Sequence, residues 1–483
     1  MSELARLVAP DTARVPERGA SASLIARNWE LLGLPLVALL VAWPQYGAPI
    51  QYNESMFVVF GREILAGGLP YRDVFDQKPP LIYYVYAGMQ ALTGDGFFVT
   101  RVAIILATGV TASLVTLVAR EFYGRRLAFV AGLAFALTNG LVVITVNAGL
   151  DQLTLLPLMT ATYLVVRWRP GGSAWRLTAA GLSAAIALLL KPVALPTALV
   201  LGGLVLVASR RVGPALWLAG AAAAVGFLAL LGLALLGVLP AAYEAIIVFG
   251  REYASYGWSL SAPGERLGFW VLALLPLVLP AGASMVLLTA ERTRRAAVLW
   301  LLLAAGVIGV VLPGAFLPYY VWAACAPLAL MVPAVFEWLP TRSRAQRRLV
   351  ILPGVFILVI MVYVSISIPA AMVPGPYVEG ARELGETIAR AALPGDRLYV
   401  RANAPQVYYY ARLRPAHRYF TPQAIAVRPD VETEIVEALA HDPPAFVVID
   451  EHDPGTSAAL RDLLSTRYRL LDASGELAAY ARP

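Results

Sequence analysis

The chain has 483 residues, 59% of them apolar and only 14% charged, against about 25% charged in an ordinary soluble domain. The formal net charge of +7 would suit a nucleic-acid binder, but the arginines fall in short clusters between apolar runs and no basic run is interleaved with stacking aromatics, so that class is set aside. Cys325 is the only cysteine and sits in an apolar run, which excludes an intrachain disulfide and a thiolate metal site.

Residues 1–28 carry Arg6, Arg14, Arg18 and Arg27 but no apolar core, so they read as a cytoplasmic tail without a cleavable signal peptide. Residues 29–370 read as a polytopic α-helical membrane domain. Its first span runs from Trp29 to about Pro49 and is followed by an outer loop, 51–94, the richest concentration of charge in the first half. Further spans are expected at 97–118, 127–146 and from Asp151 to a basic turn at Arg167 and Arg169. From Leu177 to Ser209 the apolar run is interrupted only by Lys191 and Pro192, which predicts two short helices meeting with Lys191 at the apex. A span at 214–239 leads to a second polar outer loop, 240–266. Four more, at 267–290, 296–316, 319–338 and 349–369, bring the total to about eleven membrane segments and leave every arginine cluster inside. Residues 371–483 alternate short helices and strands, with strands at 396–401 and 445–450 and a terminal strand pair, predicting a small extracytoplasmic α/β domain. The pattern as a whole predicts a multi-pass protein of the plasma (inner) membrane.

Lys78 and Lys191 are the only lysines among 38 basic residues, and each directly precedes a proline. A compact ammonium with rotatable donors suits a phosphate oxygen that shifts during reaction, although interfacial lysines also snorkel with no such role. Pro79 and Pro80 suit the first turn of a helix continuing LIYYVYAGMQAL, which would stand Lys78 at that helix's positive end.

Four outer carboxylates are candidates for deprotonating an acceptor hydroxyl, and one suffices if the leaving group is a lipid phosphate. Asp151 opens an apolar span, where an ionisable group is costly without a partner; helix N-capping accounts for it equally well. Asp73 and Asp76 are expected to structure a turn and pair with Arg72 more than to react. Glu54 begins an amphipathic helix with Met56, Phe57, Phe60 and Ile64 on one face, its carboxylate turned either to the outer cavity or to the helix dipole. Arg251 is a further candidate for an anion contact. Neighbouring Tyr253, Tyr256 and Trp258 read as a sugar-stacking wall or, more simply, as an interfacial aromatic belt. His417, His441 and His452 show no metal-ligand spacing, and GxSxG and Walker-type loops are missing; no cofactor is predicted, with a divalent metal left open.

The acidic amphipathic start followed by EILAGGLPYRDVFDQKPPLIYYVYA resembles the first outer loop of the GT-C membrane glycosyltransferases in the protein mannosyltransferase and aminoarabinose transferase group. NAGLDQLTLLPLM, LLLKPVALP and FLPYYVWAACAPLAL follow in the order of that group. The resemblance implies inverting transfer of a sugar from a polyprenyl-phosphate donor to a glycan, lipid or protein acceptor on the outer face. It puts the donor phosphate on Lys78, with Arg251 or Lys191, and the base on the Asn53-Glu54 pair. The group commonly has Asp-Glu at that pair and His-Tyr where this chain has Tyr319-Tyr320, so the base falls to Glu54 or Asp151. Asn53, Asp73, Asp76, Tyr319 and Tyr320 are then substrate-contact candidates. The alternative is a transporter or flippase of a lipid-linked sugar, binding at Lys191 in a broken helix.

Overall fold

The computed structural model describes residues 28–94, 96–140, 149–260, 274–291, 293–314, 316–339 and 376–483, with isolated positions at 343, 348, 359 and 363. Its helices are α1 (Trp29–Val41), α2 (Tyr52–Leu65), α3 (Leu81–Thr93), α4 (Phe97–Ala119), α5 (Arg125–Leu137), α6 (Gly149–Arg167), α7 (Trp175–Leu190), α8 (Leu195–Ser209), α9 (Val212–Leu235), α10 (Leu239–Tyr243), α11 (Gly250–Leu260), α12 (Leu275–Ala290), α13 (Arg294–Val311), α14 (Trp322–Met331) and α15 (Pro333–Trp338). Beyond them come α16 (Pro376–Ala391), β1 (Arg397–Arg401), α17 (Gln406–Ala411), β2 (Arg414–Pro415), α18 (Gln423–Val427), α19 (Val431–His441), β3 (Phe446–Asp450), α20 (Ala458–Arg467), β4 (Arg469–Ser474) and β5 (Leu477–Ala481).

Among the described residues, six helical segments are long and apolar enough to cross a bilayer, and α1, α7 and α12 are shorter apolar helices. The chain is thus a multi-pass membrane protein. These described segments do not establish the expected total of about eleven, and the expected segment at 349–369 lies outside the described residues but for isolated positions. The first span is shorter than expected: α1 ends at Val41, and Pro44 falls in a 3-10 turn, Trp43–Gln45, just beyond it. Proline's missing N–H and fixed φ favour such an ending.

The residues group into two compact units, neither continuous in sequence. Met1–Tyr46, Arg101–Ala229 and Leu260–Pro369 make the first; Gly47–Thr100, Leu230–Ser259 and Ala370–Pro483 make the second.

In the first unit the predicted break after α7 is present. Lys191 is extended (φ −154°, ψ 129°), and a 3-10 turn, Pro192–Ala194, leads into α8. Pro192 cannot donate to the carbonyl of the preceding turn, so one continuous helix is not available. With no hydrophobic effect between helices in lipid, small residues must supply close packing. A Cβ built on Gly181 would lie 2.3 Å from the carbonyl oxygen of Leu218. Gly181→Ala is therefore expected to destabilise the unit by about 1–3 kcal/mol, seen as a lower unfolding midpoint in detergent.

In the second unit a five-stranded sheet runs β2-β1-β3-β5-β4. β2, β1 and β3 are parallel, and β5 pairs antiparallel with β3 and β4. The predicted strands and helices of residues 376–483 are present; β2, only two residues long, and α18 were not anticipated. The described part of the stretch expected as a second polar outer loop is helical. α10 and α11 are joined by a π-helical stretch, Glu244–Phe249, and residues 261–266 lie outside the described residues.

Long-range pairs tie these stretches of the second unit together. Arg414 forks onto Glu63 at 2.8 and 2.6 Å, Arg62 donates to the carbonyls of Tyr408 and Tyr409, and Arg428 pairs with Glu244 and Glu252. His417 is half-buried here, and that burial holds its imidazole below its ordinary value, against the pull of Glu434 3.8 Å away. The folded unit therefore favours neutral His417, whereas the unfolded chain takes up a proton below about pH 6.5. Stability is expected to fall as pH drops through that range, and His417→Gln should flatten this part of a melting-temperature profile.

Candidate functional site

Lys78 and its surroundings belong to the second unit. α2 begins at Tyr52, so Asn53 and Glu54 fall in its first turn, both half-buried. One Glu54 carboxylate oxygen accepts the Gln51 N–H at 2.9 Å, the capping-box role of an acidic residue at that position. The chain then turns sharply at Tyr71, whose φ is +70°. A bulky residue is uncommon there, and such conformations persist only where surroundings hold them. Here the Tyr71 N–H donates to the Val74 carbonyl at 2.6 Å and the Asp73 N–H to that of Leu69 at 3.0 Å. Asp73 accepts the Leu69 N–H at 2.7 Å and pairs with Arg72. This is the structural role expected of Asp73, and Arg72 keeps its carboxyl below the usual carboxylate value.

Asp76 departs from expectation: it pairs with Lys78, not Arg72. The ammonium lies 2.9 and 3.1 Å from its two oxygens, and the Asp76 side chain is 1% exposed against 19% for Lys78. Burial explains the choice, since a carboxylate taken out of water needs a partner that reaches it. Asp76 also accepts from its neighbour's N–H, Gln77, and lies 3.1 Å from the Tyr83 hydroxyl. The Lys78 carbonyl is 2.9 Å from the Tyr71 hydroxyl and 3.0 Å from that of Tyr83. Burial, reinforced by the Asp76 charge, pushes both phenols above their ordinary value, so each keeps its proton to donate. Lys78 also sits 5.5 Å from the centre of the Phe57 ring. It precedes α3, whose N-cap is Pro80 rather than a first-turn proline pair.

The sequence missed Tyr71 and Tyr83 as parts of this site. Tyr83 and Tyr86 are one helical turn apart on the buried face of α3, a spacing that was there to be used.

Phe75 is held by the rest of the unit. Its N–H donates to the Arg418 carbonyl at 2.9 Å, and its ring meets Phe249 and Tyr419 edge-on at 5.0 and 4.7 Å. A hollow beside it is lined by Phe75, Asp76, Gln77, Phe249, Tyr419 and Thr421 among others. Arg251 is exposed on α11, and among the described residues it forms no ion pair with Asp76.

The other candidates belong to the first unit, where the structure gathers four of them. Lys191 Nζ lies 2.5 Å from Asp151 Oδ1, with the two side chains 8% and 5% exposed. The ammonium also stands over Tyr320 at 4.1 Å from the ring centre and beside Tyr319 at 5.5 Å. The partner that an ionisable residue in an apolar span requires is therefore Lys191. Asp151 is the third residue of α6 rather than its cap.

Among the described residues, no three His, Cys, Asp or Glu side chains converge on one point.

These features can be set beside known proteins. Residues 77–233 match the family model described as dolichyl-phosphate-mannose-protein mannosyltransferase. The structure is similar to that of ArnT from Cupriavidus metallidurans bound to undecaprenyl phosphate, with a TM-score of 0.66 at 15% identity, over 95% of this chain and 98% of that one. It is also similar to the archaeal oligosaccharyltransferase AglB from Archaeoglobus fulgidus, in complex with an inhibitory peptide and a dolichol-phosphate. There the TM-score is 0.54 at 13% identity, over 95% of this chain and 75% of that one. No curated protein sequence matches the chain. The fold is that of the GT-C membrane glycosyltransferases.

Proposed function

We propose that the protein transfers a sugar from a polyprenyl-phosphate donor to an acceptor hydroxyl at the outer face of the membrane. The observation that carries this is Lys78: a partly exposed ammonium, fixed on a buried carboxylate just ahead of a helix N-terminus, in a chain whose fold is shared with a protein bound to undecaprenyl phosphate. Two of its protons face Asp76, which leaves a third for a phosphate oxygen. In a single displacement the acceptor oxygen bonds to the anomeric carbon while the bond from that carbon to the phosphate oxygen breaks. The polyprenyl phosphate leaves with the electron pair, and the anomeric configuration inverts.

Glu54 is the base this reading favours. Asp151 is engaged by Lys191 in a buried pair, so that taking the acceptor proton would mean giving up that pair. Lys191, Tyr319 and Tyr320 then shape the break in the α7–α8 segment, and Arg251 remains an exposed anion contact. In membranes supplied with polyprenyl-phosphate sugar, wild-type protein should form a new glycosidic linkage, and Glu54→Gln should lose it. Full transfer by Glu54→Gln would sink the base assignment.

The helix broken at a buried ion pair favours a second reading, translocation of a lipid-linked sugar. Movement of donor across vesicles with no new linkage would select it.

A further inference from the structure

One short stretch near the C-terminus reaches both halves of the Lys78 site. Residues 418–421, Arg-Tyr-Phe-Thr, connect β2 to α18 without regular secondary structure. A connection of that kind ordinarily runs over the surface, yet Tyr419, Phe420 and Thr421 are 4%, 1% and 7% exposed. Each of them meets a different part of the site.

The Arg418 carbonyl accepts the Phe75 N–H at 2.9 Å, and the Tyr419 ring meets the Phe75 ring edge-on at 4.7 Å. Phe75 directly precedes Asp76, so these contacts fix the backbone that carries the Asp76–Lys78 ion pair. Phe420 packs edge-on against Phe60 at 5.6 Å, and Phe60 stacks on Tyr83 at 4.1 Å. Tyr83 is the phenol that lies 3.1 Å from Asp76 and 3.0 Å from the Lys78 carbonyl. Thr421 serves the other half. Its side chain shares a hydrogen bond with the Tyr52 phenol, and Tyr52 opens α2 two residues ahead of Glu54. Ring packing alone would make an ordinary core. The bonds at Tyr52 and at the Phe75 N–H are directional, and they fix distances where dispersion only fills space.

We propose that Tyr419 and Thr421 are positioning residues for sugar transfer, Thr421 setting Glu54 through Tyr52 and Tyr419 setting Lys78 through Phe75; this rests on the transferase reading, in which base and phosphate contact must keep one separation across the anomeric carbon. Both side chains are buried and act through their neighbours.

The test uses the full-length protein in liposomes and reads transfer from polyprenyl-phosphate sugar, binding of polyprenyl phosphate alone and the unfolding midpoint. Thr421→Val keeps the shape and loses the hydroxyl. It should lower kcat by about tenfold or more at unchanged affinity for polyprenyl phosphate, and Thr421→Ser should restore kcat. Tyr419→Leu should weaken that affinity by about tenfold for the lost aromatic pair, whereas Tyr419→Phe keeps the ring and should bind like wild type. Wild-type kcat in Thr421→Val together with wild-type affinity in Tyr419→Leu would overturn the proposal, whatever the midpoints. So would an equal loss of kcat and affinity in both variants, which marks a general loss of fold. Were wild type to form no linkage, the transferase reading would fall on its own. Weaker polyprenyl phosphate binding by Tyr419→Leu than by Tyr419→Phe would still uphold the part of Tyr419, and equal binding would remove it.

Discussion

Lys78→Ala is expected to cut sugar transfer by a hundredfold or more, the usual order for removing one charged group aimed at a developing negative charge. The variant also leaves Asp76 without its cation, in a side chain only 1% exposed. Breaking a buried pair from one side is costly, on the order of 3–5 kcal/mol, although the 19% exposure of Lys78 brings the figure here toward the lower end. Activity and stability would thus fall together, and a lost fold could be mistaken for a lost ligand. Asp76→Asn on the Lys78→Ala background separates them. An amide keeps hydrogen bonds to the Gln77 N–H and the Tyr83 hydroxyl without a stranded charge, so the double variant should regain its unfolding midpoint while transfer stays low. Lys78→Arg should retain donor binding and lose turnover, because a planar guanidinium cannot follow a moving phosphate oxygen as an ammonium can. Initial rates at saturating polyprenyl-phosphate sugar, together with donor affinity, distinguish these outcomes. Wild-type transfer by the double variant would remove Lys78 from the mechanism.

What could be read in the sequence was local. The apolar runs, the Lys191-Pro192 interruption and the strands DRLYVR and AFVVID each carry their signal within a few residues, and the interruption and both strands formed close to their expected bounds. The pairings were not legible, because nothing in a chain tells Glu63 that its partner is Arg414, 351 positions away. Asp76 illustrates the same limit at short range. Arg72 and Lys78 were both near enough in sequence, and burial decided between them. The grouping of Gly47–Thr100 and Leu230–Ser259 with Ala370–Pro483 likewise follows from ion pairs such as Arg428 with Glu244 and Glu252, which no stretch announces alone.

Asp151 and Lys191 invite the complementary experiment. With side chains 5% and 8% exposed and 2.5 Å between their charged atoms, neither has water as a substitute partner. Asp151→Leu takes the charged partner from a buried ammonium, and Lys191→Met takes it from a buried carboxylate. Each alone should cost on the order of 3–5 kcal/mol, whereas the two together replace a desolvated pair with packed apolar groups and should recover most of it. Lys191→Met also forfeits the contact with the Tyr320 ring at 4.1 Å, worth about 2 kcal/mol when desolvated, so recovery should fall short of wild type by about that amount. The break itself should survive, because Pro192 rather than Lys191 removes the N–H. The double variant therefore asks what the charges do once the fold is restored. Recovered stability with normal transfer makes the pair a structural clip for the broken segment. Recovered stability without transfer gives the pair a part in the reaction beyond the fold, because both of its charges would still be missing. Single variants as stable as wild type would show that the pair is not buried in the membrane-embedded protein, and the structural reading of Asp151 would fall with it.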